Sequence, residues 1–217
     1  DALAAISSSR GTNEENYLFG KFIRCVMGTN HIDNCARVCH SATVTGMMET
    51  LGASAATNSI QDLDQAKLIM VVGANPTESH PVVGASIKQA HRRGIPVIVI
   101  DPRKTELARL ATLHLPLKPG TNVALLNGLG HVMVKEGLLD RSFIDARTEG
   151  VDDWLKAVEA CTPEWTEQIT GVPADLIRAA ARLYATSGAS LCVHGLGVTE
   201  HRWGSHGVMA LVDLALA

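Results

Sequence analysis

The sequence predicts an α/β fold, a mostly parallel sheet with helices on both faces. Three observations carry this. Two short apolar runs, LIMVVG and PVIVI, are each followed by turn-forming residues. Segments of helical period alternate with them. A further run, SLCVHG, precedes a glycine-rich stretch, GLGVTEHRWG. Apolar runs too short for helices and bounded by Gly, Pro, Asn and Asp suit strands buried on both faces. Strands alternating with helices then imply a parallel sheet covered on each side.

The elements follow in order. Asn13–Asn16 offers a helix start, and apolar residues recur at helical spacing over Tyr17–Met27. Asn30–Asn34 reads as a polar connection. Leu63–Gly73 ends in the first buried strand, and GANPTESHP follows as a turn-rich loop. Pro81–Arg93 suits a helix, with Pro81 where its missing N–H costs nothing. Pro96–Ile100 is the second buried strand. Thr105–Ala111 makes a short helix, Leu113–Leu117 a weaker strand, and Val123–Glu136 another helix. Arg141–Gly188 is mostly helical, Pro163 and Pro173 marking helix starts. Ser190–Gly195 is a strand, and the last segment is helical.

Composition narrows the function class. The 217 residues are 46% hydrophobic and 19% charged, which is ordinary for a globular chain and excludes disorder as the default. The formal charge of -3 gives no basic footprint for nucleic acid. No apolar run reaches the ~18 residues that a membrane-spanning helix needs. No signal-peptide pattern is present. The five cysteines are Cys25, Cys35, Cys39, Cys161 and Cys192. Their odd number and scattered spacing speak against a disulfide framework and favour a reducing, cytoplasmic setting, with a periplasmic one still open. The apolar VMALVDLALA at one end carries no helix stop, and DALAAISSSR at the other reads like the tail of a longer element. Both suggest an internal fragment.

Ligands of parallel sheets bind at the carboxyl ends of the strands. Here those ends are Gly73–His80, Asp101–Lys104, Lys118–Asn122 and Gly195–Trp203, all rich in turn-forming or polar residues. Gly73 lets the backbone turn and approach a ligand. Asn75 and Thr77 add hydrogen-bonding groups, and the helix from Pro81 presents its N-terminal dipole, which favours phosphate. Asp101 ends the next strand, where an acidic residue commonly accepts from ribose hydroxyls, and Arg103 suits a phosphate. No G-x-G-x-x-G occurs, which disfavours an ordinary NAD site. From these residues alone, ligand binding competes evenly with loop punctuation and with Asp101 as a helix cap.

A second signal is the dipeptide Cys39-His40, in CARVCHSATVTG. A thiolate suits a soft or high-valent metal. The small polar residues that follow leave the thiol accessible. Alone, such a cysteine is more often a small buried hydrophobe.

The segment NHIDNCARVCHSATVTGMMETLG resembles the active-site stretch of the formate dehydrogenase branch of the molybdopterin oxidoreductases. There a cysteine or selenocysteine followed by histidine lies within R-[VL]-C-H. AAISSSRGTNEENYLFGKFIR, VVGANPTESHP, IVIDPRKTELA, LPLKPGTNVALLNGLGHVM, FIDARTEG, ITGVPADLIRAAARLYA and GLGVTEHRWG resemble family segments in the family's order. Nearly the whole chain is covered.

The resemblance implies a Rossmann-like, three-layer αβα domain over 35–217 that binds part of a bis(molybdopterin guanine dinucleotide) cofactor carrying molybdenum or tungsten. Residues 1–34 would be the remnant of a preceding α/β domain. It makes Cys39 the ligand to the metal and His40 the proton acceptor beside it. It assigns Gly73, Asn75, Glu78 and His80 to the phosphate and pterin loop. Asp101 and Arg103 fall in the guanosine loop, Gly120 and Asn122 in a third nucleotide loop, Gly197 and Thr199 near the pterin. The reaction implied is formate to carbon dioxide with two electrons released, or the reverse. A [4Fe-4S] cluster is expected in an N-terminal domain outside this chain, and electron-transfer subunits and the rest of the same subunit as partners. This stretch alone is not expected to turn over formate.

Gly11 departs from the pattern, at a position where family members often carry cysteine. The cysteine spacing matches no iron–sulfur motif. A nitrate reductase-like enzyme, the large iron–sulfur subunit of a quinone oxidoreductase and a non-catalytic nucleotide-binding module are the competing readings. The histidine partner of Cys39 favours the formate branch. The other histidines, His194 among them, read as surface or satisfied core residues.

Overall fold

A strand buried on both faces must offer apolar side chains to two layers, and residues of alternate parity must part between them. The computed structural model, which describes residues 2–217, shows this partition directly. In β3 (Leu68–Val72), Leu68, Met70 and Val72 join one apolar cluster while Ile69 and Val71 join another. In β4 (Val97–Ile100), Ile98 and Ile100 fall with the first and Val97 and Val99 with the second.

In chain order, β1 (Ala5–Ser7), α1 (Asn13–Cys25) and β2 (Ile32–Asn34) come first. A 3₁₀ turn at Cys35–Arg37 leads into α2 (Ser41–Leu51), and another at Ile60–Asp64 leads into β3. Between β3 and β4 lie α3 (Pro76–Ser79) and α4 (Pro81–Arg92). Then follow α5 (Glu106–Leu110), β5 (Leu113–Leu115), α6 (Asn122–Lys135), α7 (Arg141–Arg147), α8 (Val151–Glu159), α9 (Pro163–Thr170) and α10 (Ala174–Thr186). The chain closes with β6 (Ser190–His194), α11 (Leu196–Thr199) and α12 (Gly204–Leu216).

The main sheet has the order β5-β4-β3-β6, and every pairing in it is parallel. The expected α/β class and helix-covered parallel sheet are therefore observed. The chain steps from β3 outward through β4 to β5, and later returns to the opposite side of β3 with β6. The order thus reverses between β3 and β6, and in such sheets the crevice at the carboxyl ends of the strands flanking that reversal is the ligand site.

One layer packs Leu125, Leu126 and Leu129 of α6, Ile177 of α10 and Leu211 and Leu214 of α12 on the sheet. The other packs Leu63, Ile87 and Ala90, with Leu107 of α5. Each fully buried leucine or isoleucine contributes ~1.5–3 kcal/mol relative to exposure, so this two-sided burial fixes the sheet.

Local chemistry sets the element ends. Thr12 caps α1 with a reciprocal pair: its hydroxyl accepts from the Glu15 amide at 3.2 Å, and the Glu15 carboxylate accepts from the Thr12 amide at 2.7 Å. Thr162 caps α9 before Pro163, and Gly171 closes it in the left-handed region. Three sequence expectations need correction. Residues 30–34 are not wholly a connection, since Ile32–Asn34 pairs in parallel with Ala5–Ser7. The loop after β3 holds the single helical turn α3, started by Pro76 at a position where proline is tolerated. The glycine-rich loop after β6 likewise begins with the turn α11. Among the described residues no helix is long and apolar enough to cross a membrane.

Candidate functional site

The site begins at the N-terminus of α2. Asn34 accepts from the Ala36 amide at 2.9 Å and starts the 3₁₀ turn. That turn ends at Val38, so Cys39 and His40 are the last residues before the helix. The Ser41 hydroxyl ties the helix start back to the Arg37 carbonyl at 2.6 Å. Cys39 is a free thiol, half-buried. α2 reaches this place because it lies against α12: a Cβ on Gly46 would stand 2.8 Å from the Ser205 carbonyl oxygen and from Val208 Cβ. Only a glycine permits so close a helix approach.

His40 is linked to the sheet. Its Nδ1 lies 3.0 Å from the Thr43 hydroxyl, and that hydroxyl lies 3.1 Å from Nε2 of His194. The two rings stand edge to face with centroids 6.2 Å apart. His194 is the last residue of β6 and pairs in register with Val72. Cys39-His40 therefore sits beside the β3–β6 crevice rather than among aliphatic side chains remote from it. Burial pushes the His194 imidazole below its ordinary pKa, and nearby His40 adds to this by repulsion. His194 belongs to this site, which reading it as one more scattered histidine missed. The signal available was its place at a strand end immediately before G-L-G.

At the crevice itself two backbones touch. Gly73 has φ +56°, and a Cβ there would stand 2.7 Å from the carbonyl carbon of Gly197. The Gly197 amide donates to the Gly73 carbonyl at 2.9 Å. Asn122, buried at the start of α6, donates to the Gly197 carbonyl at 3.1 Å, and His201 Nε2 meets the same oxygen at 2.9 Å. The loops after β3, β5 and β6 are thus tied together. Thr199 is almost wholly buried, and its hydroxyl has no hydrogen-bond partner among the described residues. Buried hydroxyls are nearly always paired. An orphan hydroxyl next to a glycine-lined backbone junction fits a polar ligand brought against that junction.

The remaining predicted residues lie around this centre. In the loop after β3, Asn75 receives the Thr77 hydroxyl at 2.7 Å, while Glu78 and His80 are exposed. His80 Nδ1 lies 3.0 Å from the Ser79 hydroxyl. Gly120 takes φ +85° in the loop before α6. Asp101 does not cap the next helix; Thr105 does, accepting from the Ala108 amide at 3.2 Å. The buried Asp101 carboxylate accepts instead from the Arg103 amide at 2.8 Å, with the Arg103 guanidinium 3.6 Å away. One of its oxygens shapes the loop, and Arg103 remains exposed. His114, outside the predicted set, holds the Asp101 carbonyl at 2.9 Å.

Among the described residues no three His, Cys, Asp or Glu side chains cluster as a metal site.

The orphan hydroxyl makes a direct prediction. Thr199→Val, which keeps the shape and removes the oxygen, is expected to raise ligand-free stability by ~1 kcal/mol or more, because it relieves an unmet desolvation cost. Urea unfolding checks this, and a clear loss of stability would show that the hydroxyl is satisfied. The other cysteines make another. Cys35 accepts from the Ser9 amide and contacts the Ser9 hydroxyl, both at 3.2 Å, and these bonds, the amide's above all, hold its pKa below the ordinary thiol value. Burial pushes Cys192 up to about 11 and also raises Cys161. Since the thiolate is the nucleophile, iodoacetamide near pH 7.5 is expected to label Cys35 before Cys161 and Cys192. Peptide mass spectrometry reads the order, and prior labelling of Cys192 would contradict it.

With this geometry in view, comparisons with known proteins are specific. The sequence profile of the molybdopterin oxidoreductase family matches residues 1–217. Formate dehydrogenase H of Escherichia coli (strain K12) is 46% identical over 217 residues, covering 100% of this chain and 30% of that protein. The F420-dependent formate dehydrogenase 1 subunit alpha of Methanococcus maripaludis is 43% identical over 210 residues, 97% of this chain and 31% of that protein. This chain spans about a third of the length of these relatives. Among solved structures, the acetylene hydratase from Pelobacter acetylenicus superposes with a TM-score of 0.81 at 24% identity, over 98% of this chain and 28% of that one. That likeness establishes the shared fold.

Proposed function

Because the chain belongs to the molybdopterin oxidoreductase family, we propose that it forms part of the catalytic subunit of a formate dehydrogenase. The observation that carries this is the Cys39-His40 pair beside the β3–β6 crevice, in a chain whose whole length aligns with formate dehydrogenases. In this reading residues 35–217 form the cofactor-binding α/β domain, and 1–34 belong to a preceding one.

The cofactor proposed is a bis(molybdopterin guanine dinucleotide) with molybdenum or tungsten. The Gly73–Gly197 junction would hold its pterin side, with the unpaired Thr199 hydroxyl beside it and Asn75, Glu78 and His80 in the adjoining loop. Asp101 and Arg103, with Gly120 and Asn122 in the next loop, would hold its nucleotide side. When bound, the metal centre supplies the acceptor for two electrons, while the protein binds and orients the reactants.

The chain's own groups then have defined work. Formate becomes carbon dioxide, one proton and two electrons. The Cys39 thiolate is the protein's ligand to the metal. His40 takes the proton: its imidazole offers a nitrogen lone pair, and its exposed ring lies one residue from the ligand. A [4Fe-4S] cluster elsewhere in the subunit would supply the route by which the electrons leave toward a partner subunit.

The experiment is to purify the complete subunit with its partners and to measure formate-dependent reduction of an artificial acceptor dye, with nitrate reduction as a control. Formate oxidation dependent on bound molybdenum or tungsten supports the reading. Nitrate reduction without formate oxidation would transfer the chain to the nitrate reductase-like branch.

A further inference from the structure

Thr43 lies three residues after His40 on the first turn of α2, so the two share a face. A threonine in a helix commonly returns its hydroxyl to the carbonyl four residues back. Thr50, on the same helix, does so, donating to the Gly46 carbonyl at 2.8 Å. Thr43 instead places its hydroxyl between two imidazoles, 3.0 Å from His40 Nδ1 and 3.1 Å from His194 Nε2.

A hydroxyl has one proton. It can donate to only one of the two nitrogens and must accept from the other. Two arrangements are therefore possible. In one, His194 Nε2–H donates to Thr43 and Thr43 donates to His40 Nδ1, which forces the proton of neutral His40 onto Nε2. In the other, His40 Nδ1–H donates to Thr43 and Thr43 donates to His194 Nε2. His40 Nε2 then carries a free lone pair, and it has no partner among the described residues. Only the second arrangement leaves His40 able to accept a proton without rotating its ring.

The geometry points to Thr43 and His194 as positioning residues that hold His40 in the Nδ1–H tautomer, with Nε2 as the open acceptor. Several features agree. His194 is held by the β6 register opposite Val72, so the far end of the chain is anchored to the sheet. Its partial burial keeps it neutral and fit to accept at Nε2. The edge-to-face rings at 6.2 Å leave room for a bridging hydroxyl and not for a direct nitrogen–nitrogen bond. Partners of this outer kind fix tautomer and ring orientation for the imidazole they touch. The bridge of Thr43 between the two imidazoles is geometric; the choice of tautomer and the effect on turnover rest on the formate dehydrogenase reading.

The test has two independent readouts. In 15N-histidine-labelled protein at pH 8, the nitrogen spectrum is expected to show His40 protonated at Nδ1. Thr43→Val releases that bias, and His194→Phe lets Thr43 donate to His40, so both are expected to move the proton to Nε2. In the complete subunit, Thr43→Val is expected to lower kcat for formate by roughly 10–100-fold, the range for lost outer-shell partners. KM and metal content stay unchanged, and Thr43→Ser restores the rate. His40 protonated at Nε2 in the unsubstituted protein would overturn the proposal. So would a Thr43→Val defect that serine leaves unrepaired, or one in which metal content falls together with kcat. If the unsubstituted subunit does not oxidise formate, the functional reading fails; His40 protonated at Nε2 in a subunit that does oxidise formate overturns this proposal alone.

Discussion

Cys39→Ala in the complete subunit is expected to reduce formate turnover by more than ~100-fold, since even loss of an outer-shell partner of a metal ligand costs 10–100-fold. Among the described residues no cluster of three potential ligands exists, so no ready-made metal site stands by to replace this thiol. The fold should not suffer. Cys39 is half-buried and lies outside both apolar clusters of the core. Substitutions of this kind usually fall within ±0.5 kcal/mol, so the melting curve should be nearly unchanged. Dye-linked formate oxidation gives the rate, and X-ray absorption at the metal should show one sulfur fewer. A variant that keeps most of its activity would mean that the metal is not ligated through Cys39.

The strands were readable for a physical reason. Two-sided burial turns β3 and β4 into unbroken apolar runs, LIMVV and VIVI, which no amphipathic helix imitates at that length. The carboxyl-end loops followed, because turn residues must punctuate such runs. Sheet order was not readable. β6 lies beside β3 through helix packing across the whole chain, and no local pattern encodes that. The three-residue strands β1 and β2 were too short for an alternation to register. His194 shows the limit at the site. Its role arises from the register of β6 against β3 and from the reach of a threonine on α2, and both are contacts between distant segments. The Cys39-His40 pair became informative through its resemblance to a family segment. As a dipeptide it is compatible with a buried thiol.

Gly73→Ala is expected to damage both stability and cofactor retention, the larger effect being on the cofactor. The glycine has φ +56°, where a side chain costs ~1–2 kcal/mol in L-residues. The added Cβ would also stand 2.7 Å from Gly197 C, 2.8 Å from Gly197 Cα and 2.8 Å from the Val198 amide nitrogen. These are backbone atoms, so no side chain can rotate away, and overpacking of this kind costs a further ~1–3 kcal/mol. The protein can relieve the clash only by moving the loop after β6 off the loop after β3. That movement would break the 2.9 Å bond from the Gly197 amide to the Gly73 carbonyl and carry Thr199 away with the loop. Thr199→Val separates the two consequences, since it removes the hydroxyl without separating the backbones. Both variants should release cofactor, followed as metal content and pterin fluorescence, but only Gly73→Ala should also lower the urea midpoint. If Gly73→Ala retains its full metal and pterin complement, the β3–β6 junction is not where the cofactor rests, and the site must be sought on another loop.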